Sequence, residues 1–212
     1  MKTDALIDTL VTDLAPTRIG FRRMVTLSLI AGAVVSALVF VLAVHARSDL
    51  SAMATSPRLW FKFAVTGSLA IAAFGLAPRL ATPGVSARRW AYALLAPVAM
   101  ALLGVMAECL SAPSAQWMTR LVGNYAVYCL TLIPLLSLGP LIALILALRG
   151  GAPENPGLAG AAAGLLASGV GSTIYALHCT DDSPLFVVAW YSLAMATVTL
   201  AGFFAGKRWL RW

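Results

Sequence analysis

Acidic side chains are scarce in this chain: eight Asp and Glu stand against fifteen Lys and Arg in 212 residues, and charged residues of both signs make up only 11%. A soluble domain usually carries about 25%. So little charge cannot clothe a water-soluble globule, and 60% of the residues are hydrophobic at a mean hydropathy of +0.88. That is more apolar side chain than one small core can bury, so much of it is expected to face lipid. Cysteine is scarce too. Cys109, Cys129 and Cys179 are scattered thiols with no CxxC pair, which excludes a disulfide scaffold, a zinc ribbon and a thioredoxin-like redox centre. The vicinal cysteines of a disulfide-generating enzyme, a Ser/His/Asp arrangement and a Gly-rich phosphate loop are missing as well, and no enzyme is expected. A net charge of +7 would suggest nucleic acid in a soluble protein, but in a membrane chain the placement of the basic residues says more than their sum.

What is present is a succession of apolar runs. A bilayer core of about 30 Å needs roughly 20 apolar residues as helix, and six such runs occur, at 24–44, 59–77, 90–107, 125–148, 158–177 and 185–205. The fold expected is all-α: a polytopic membrane protein with six transmembrane helices in one bundle over 24–206, a cytoplasmic leader over 1–23 and a basic cytoplasmic tail over 207–212. Pro134 and Pro140 in the fourth run should kink it or leave backbone gaps that a neighbour must satisfy. Gly160 and Gly164, continued by Ser168, Gly169 and Gly171, give the fifth run a small-residue face that lets another backbone approach. Six spans put Lys2, Arg18, Arg22, Arg23, Arg79, Arg88, Arg89, Arg149, Lys207, Arg208 and Arg211 on one side, eleven in all. The other side receives Arg47, Arg58, Arg120 and Lys62, the last snorkelling out of the start of the second span. This bias places both termini in the cytoplasm, with no direct contact to nucleic acid. The span centres contain no ionisable residue, which counts against the alternative reading of a small six-helix membrane transporter.

The leader, MKTDALIDTLVTDLAP, is too polar to insert. Thr3 or Asp4 can cap a helix that Pro16 stops, so about three turns are expected from Asp4 to Leu14. Leu6, Ile7, Leu10, Val11 and Leu14 then share one arc, with Asp4 and Asp8 along one border and Asp13 along the other. Helices that rest on the inner leaflet carry Lys and Arg on their polar face. An acid-rimmed stripe suits a groove in a basic partner protein better, although docking on the protein's own loops and residence at the membrane surface also remain open.

On the outward side the reactive side chains gather in a short span of loops: Glu108 and Cys109 at the end of the third run, Cys129 inside the fourth, and His178, Cys179, Asp181 and Asp182 in HCTDDSP. Cys129 and Cys179 are the better-placed pair for a disulfide, both beside aromatic residues at the outer ends of long spans, while Cys109 follows an acid that disfavours its thiolate. Thiolate, imidazole and carboxylate are also the ligand set of zinc or a softer heavy metal, which makes Cys129, Cys179, His178 and Asp182 candidate metal ligands, although no spacing signature fixes the site. No cofactor is required by anything else in the sequence.

Nearly the whole chain resembles the NrsF-like family of bacterial inner-membrane anti-sigma factors, negative regulators of an extracytoplasmic-function sigma factor. The resemblance rests on MKTDALIDTLVTDLAP at residues 1–16, on six spans without a soluble domain, and on HCTDDSPLFVVAWY at residues 178–191. It implies that the leader holds a sigma factor at the cytoplasmic face. It also implies that two cysteines near the periplasmic face, here Cys129 and Cys179, govern release under metal or thiol-reactive stress. His178, Ser183, Pro184, Trp190 and Tyr191 surround Cys179 as the family motif requires. Cys129 matches by position at the outer end of the fourth span.

Overall fold

In an apolar run the backbone is best satisfied as helix, which pairs each N–H and C=O within the segment itself. A computed structural model describes residues 20–211. Six helices there are long and apolar enough to cross a bilayer: α1 Phe21–Val44, α2 Pro57–Leu80, α3 Arg88–Ser111, α4 Ala126–Leu148, α5 Pro156–Tyr175 and α6 Pro184–Trp209. Each expected run falls inside or within a few residues of one of them, and the described residues contain no strand. The leader, with Asp4, Leu6, Ile7, Leu10, Val11 and Leu14, lies outside the described residues. Three helices open on proline, at Pro57, Pro156 and Pro184, where the missing N–H costs nothing and φ is already set for helix. Asn155 caps α5, its side-chain oxygen accepting the Leu158 N–H at 3.1 Å.

The interior is built by small residues. Helix α5 sits at the centre, packed against α6, α2 and α4, while α1 packs on α4 and α3 leans on α2 from outside. On α5, Gly160 and Gly164 face Gly202 and Gly206 of α6 so closely that a Cβ on Gly160 would stand 2.2 Å from the Gly202 carbonyl oxygen, and one on Gly202 2.4 Å from that of Gly160. The expected small-residue step is therefore an interhelical contact that only glycine permits. Helix α4 runs unbroken through Pro134 and Pro140. Pro140 cannot donate to the Leu136 carbonyl, and the Ser36 hydroxyl of α1 donates to it instead. The Pro140 backbone is brought against α1 by Gly32, where a Cβ would lie 2.5 Å from the Pro140 Cα.

Regular helix is broken in three of the six spans. The last turn of α1 widens to a π-turn over Phe40–Val44, and α6 widens likewise over Val187–Tyr191. Helix α3 is interrupted at Leu94, and short helical turns at Leu50–Met53, Ser114–Gln116 and Trp117–Val122 fill what the sequence shows only as loop.

Candidate functional site

Helix ends expose amides and carbonyls that lack partners within the helix. Where α1, α3 and α5 finish and α2, α4 and α6 begin, a few acids supply them. Asp181 Oδ2 accepts the backbone N–H groups of Asn124 at 2.7 Å and Tyr125 at 2.8 Å, at the start of α4. Glu108, at the end of α3 and 4% exposed, accepts the Leu185 N–H at 3.1 Å and the Ser183 hydroxyl at 2.6 Å, capping α6. Its other oxygen takes Arg120 at 2.9 Å, with Arg58 at 3.7 Å. Trp190 ties α6 to the loop before α4 by donating to the Leu121 carbonyl at 2.8 Å. Every acid of the described residues except Glu154 stands at this end.

Asp182 has a different task. Its Oδ2 pairs with Arg47 Nη1 at 2.8 Å and its Oδ1 with Lys62 Nζ at 2.6 Å. Both cations also donate to the Cys179 carbonyl, Lys62 at 2.9 Å and Arg47 at 3.1 Å. Arg47 completes its fork on Asp49, at 2.6 and 2.8 Å. The guanidinium is raised well above its ordinary range, by the Asp49 hydrogen bond first and then by Asp182, while the Asp49 carboxyl is lowered by Arg47. Lys62 is fully buried. This corrects the expectation that it snorkels outward: an ammonium that finds a carboxylate and a carbonyl inside the bundle needs no water. A lysine inside an apolar run, with acids in a loop at the same end, was the signal that could have located this pair.

Cys129, in the first turn of α4, and Cys179, in the loop after α5, share one buried cluster with Tyr175, Phe186, Val187 and Tyr191. Both are free thiols with no solvent exposure. The Cys129 sulfur is 3.6 Å from the Tyr175 hydroxyl, and that of Cys179 is 3.8 Å from the Asp181 carbonyl oxygen. Tyr175 stacks at a tilt on Tyr191, ring centres 5.7 Å apart, and on His178, 5.8 Å apart. Cys109 is only partly buried and stands outside the cluster. Of the four candidate metal ligands the structure brings the two sulfurs together and commits the others elsewhere: His178 Nδ1 meets the His45 carbonyl oxygen at 2.8 Å, and Asp182 is held by its two cations. Among the described residues no three His, Cys, Asp or Glu side chains converge as a metal ion requires.

Compared with known proteins, the chain matches over residues 10–212 the family model described as NrsF, negative regulator of sigma F. It is 39% identical over 223 residues, the full length of both chains, to a Caulobacter vibrioides protein named anti-sigma-F factor NrsF. It is 30% identical over 182 residues, 85% of each chain, to an Azospira oryzae protein named probable anti-sigma-F factor NrsF. No solved structure matches it.

Proposed function

The chain belongs to the NrsF family of negative regulators of sigma F, and on that premise we propose that it is an anti-sigma factor seated in the bacterial inner membrane with both termini in the cytoplasm. Its leader sequesters an extracytoplasmic-function sigma factor through the stripe of Leu6, Ile7, Leu10, Val11 and Leu14, with Asp4 at its border. Cys129 and Cys179 release that factor when they meet a thiol-reactive metal or an oxidant on the periplasmic side. The observation that carries this reading is the burial of both thiols in one cluster at the end of the bundle opposite Phe21, where the leader joins α1.

The chemistry available to the pair is simple. Two thiols can give up two protons and two electrons to an external oxidant and form one S–S bond, or lose their protons and take a soft metal ion between two sulfurs. Moving a two-state equilibrium from 1:99 to 99:1 takes about 5.5 kcal/mol, and a disulfide is typically worth about 2–4 kcal/mol. Bridging alone therefore gives partial release, and a metal ion can supply more. Replacing Cys129 and Cys179 by Ser, singly and together, and following the sigma-dependent transcript under cadmium or an oxidant tests the reading. Loss of induction in the double variant is the expected result, and an unchanged response rejects thiol sensing.

A further inference from the structure

At the end away from the thiols, α4 and α6 do not close on each other. Gly202 and Gly206 seat α6 tightly on α5, while its flank toward α4 carries the small side chains of Ala201 and Ala205, and a groove of about 660 Å³ is left between the two helices. Leu141 and Ile145 of α4 are its buried floor, and Leu138, Ile142 and Phe204 its exposed walls. From Leu138 to Arg149 it follows about three turns of α4, about 16 Å at a rise of 1.5 Å per residue. That is roughly the half-thickness of a 30 Å hydrocarbon core. Every apolar face of a spanning helix meets lipid, but this one is concave, one leaflet deep, and finishes at the helix termini on Arg149, Arg208 and Trp209. A cation at a helix C-terminus suits the dipole. Here two of them line one groove, and neither α4 nor α6 contains an acid. Among the described residues Arg149 and Arg208 enter no ion pair, and Glu154, the acid at this end, accepts the Gly84 N–H. Lys207 lies over the Phe203 ring, 4.4 Å from its centre, and does not line the groove. Trp209 is exposed beside the arginines, as an indole at the lipid headgroup level would be.

We propose that this groove binds one anionic glycerophospholipid, with an acyl chain lying along Leu138, Leu141, Ile142 and Ile145 and the phosphate held by Arg149 and Arg208. The inference uses the membrane seating given above but neither the leader nor the thiols. Basic pockets between spanning helices near the membrane surface are where anionic headgroups bind, and guanidinium forks match phosphate oxygens in geometry as well as charge. A zwitterionic headgroup brings its own ammonium and gains less from two cations. A free phosphate would leave the apolar trough uncovered, whereas a lipid adds burial of its chain to the charge pairing. A second copy docked on this face by twofold symmetry would set arginine against arginine. Because the lipid touches both helices, it ties α4 to α6 at the end opposite Cys129 and Tyr191, which the same two helices carry. A ligand held by the folded bundle alone stabilises it.

The test reconstitutes the full-length protein in vesicles of phosphatidylglycerol and phosphatidylcholine in equal amounts, releases it in mild detergent, and counts the lipids it retains by native mass spectrometry. Wild type should keep a phosphatidylglycerol in about tenfold preference, the order of effect of two arginines beside an anionic headgroup. Arg149→Gln/Arg208→Gln should remove the preference. Arg88→Gln/Arg89→Gln, which takes the same charge from the same end but outside the groove, should leave it unchanged. Ala201→Phe, at an exposed position of the groove, keeps both cations, fills the trough, and should lose the lipid too. Thermal midpoints in phosphatidylcholine alone show that each variant is folded, and if the arginine pair is not, Ala201→Phe carries the comparison. A wild type without preference, a preference that both groove variants keep, or one that Arg88→Gln/Arg89→Gln abolishes equally overturns the site. So does displacement of the lipid by millimolar inorganic phosphate, which would make the ligand a free anion, or by a peptide of residues 1–16, which would seat the leader there. A dimer that Ala201→Phe dissociates would seat a second copy and overturn it as well. The readout involves no sigma factor and no thiol. Loss of the lipid site with cadmium induction intact leaves the proposed function standing, whereas protein that does not enter vesicles removes the membrane seating and this site with it.

Discussion

Glu108 illustrates how one side chain can hold several elements. In sequence it is an acid at the frayed end of an apolar run, followed by a cysteine that takes no part in the buried cluster. In the fold it supplies α6 with the cap that Ser183 does not give, and it holds Arg120 from the helical turn before α4. Glu108→Ala leaves the Leu185 N–H and a half-buried guanidinium without their acceptor, a loss of about 3 kcal/mol, read as a lower midpoint in thermal unfolding of the detergent-solubilised protein. Cys109→Ala, at a partly buried position outside the thiol cluster, should stay within about 0.5 kcal/mol of wild type. Residues were unequally legible in the sequence. The convergence of Cys129 and Cys179 could be read from their places at the outer ends of long spans. Lys62 offered only the coarse signal of a lysine inside an apolar run near loop acids; the carbonyl it donates to lies 117 residues further on, at Cys179, and no helical spacing signals a partner so remote. Arg47 was hidden for the same reason, counted as a topology charge while its guanidinium serves Asp182 and the Cys179 carbonyl.

At the scale of elements, glycine and proline spacing made two contacts legible: the α5–α6 crossing, from the Gly160 and Gly164 step, and the carbonyl freed by Pro140, which Ser36 repairs. The widened turns of α1 and α6 had no such local sign. Each contains a buried aromatic of the thiol cluster, Phe40 in one and Tyr191 in the other, so the extra residue per turn answers to tertiary packing. The crossing is open to direct test. Gly202→Leu drives a side chain into the Gly160 carbonyl and the Gly164 backbone, and overpacking of this kind costs about 1–3 kcal/mol, more where backbone is struck. Gly67→Ala, with nothing within 4 Å of the added Cβ, is the control, and a Gly202→Leu protein as heat-stable as the control would show that the close approach contributes nothing. The leader makes a second prediction. If its apolar stripe fills a groove in the sigma factor, each buried leucine contributes about 1.5–3 kcal/mol, and changing Leu10 and Leu14 to Asp together should lower affinity at least a hundredfold. Retention of the sigma factor by that variant in co-purification would exclude helix-in-groove binding.

Across the whole molecule, charge is sorted by end. The loop after α2 and the loop before α5 are joined at one end, where the Ala152 N–H donates to the Ala81 carbonyl at 2.9 Å and the Gly84 N–H to Glu154 at 3.2 Å. Arg22, Arg23, Arg79, Arg88, Arg89, Arg149, Lys207 and Arg208 belong to the helix termini of that same end. The opposite end holds the remaining acids of the described residues, Cys129 and Cys179, and the few basic residues that pair with those acids. Because translocation retains Lys and Arg on the cytoplasmic side, the basic end should face inward and the thiol cluster outward. That orientation can be measured in a background lacking native cysteine, with single reporters at exposed positions: Ser51→Cys and Ser114→Cys at the thiol end, Ser86→Cys at the basic end. A membrane-impermeant maleimide should modify the first two in intact spheroplasts and the third only after permeabilisation. The opposite pattern would put the sulfurs in the reducing cytoplasm beside the sigma factor, where an outward-facing sensor has nothing to sense, and would require the leader and the thiols to exchange roles.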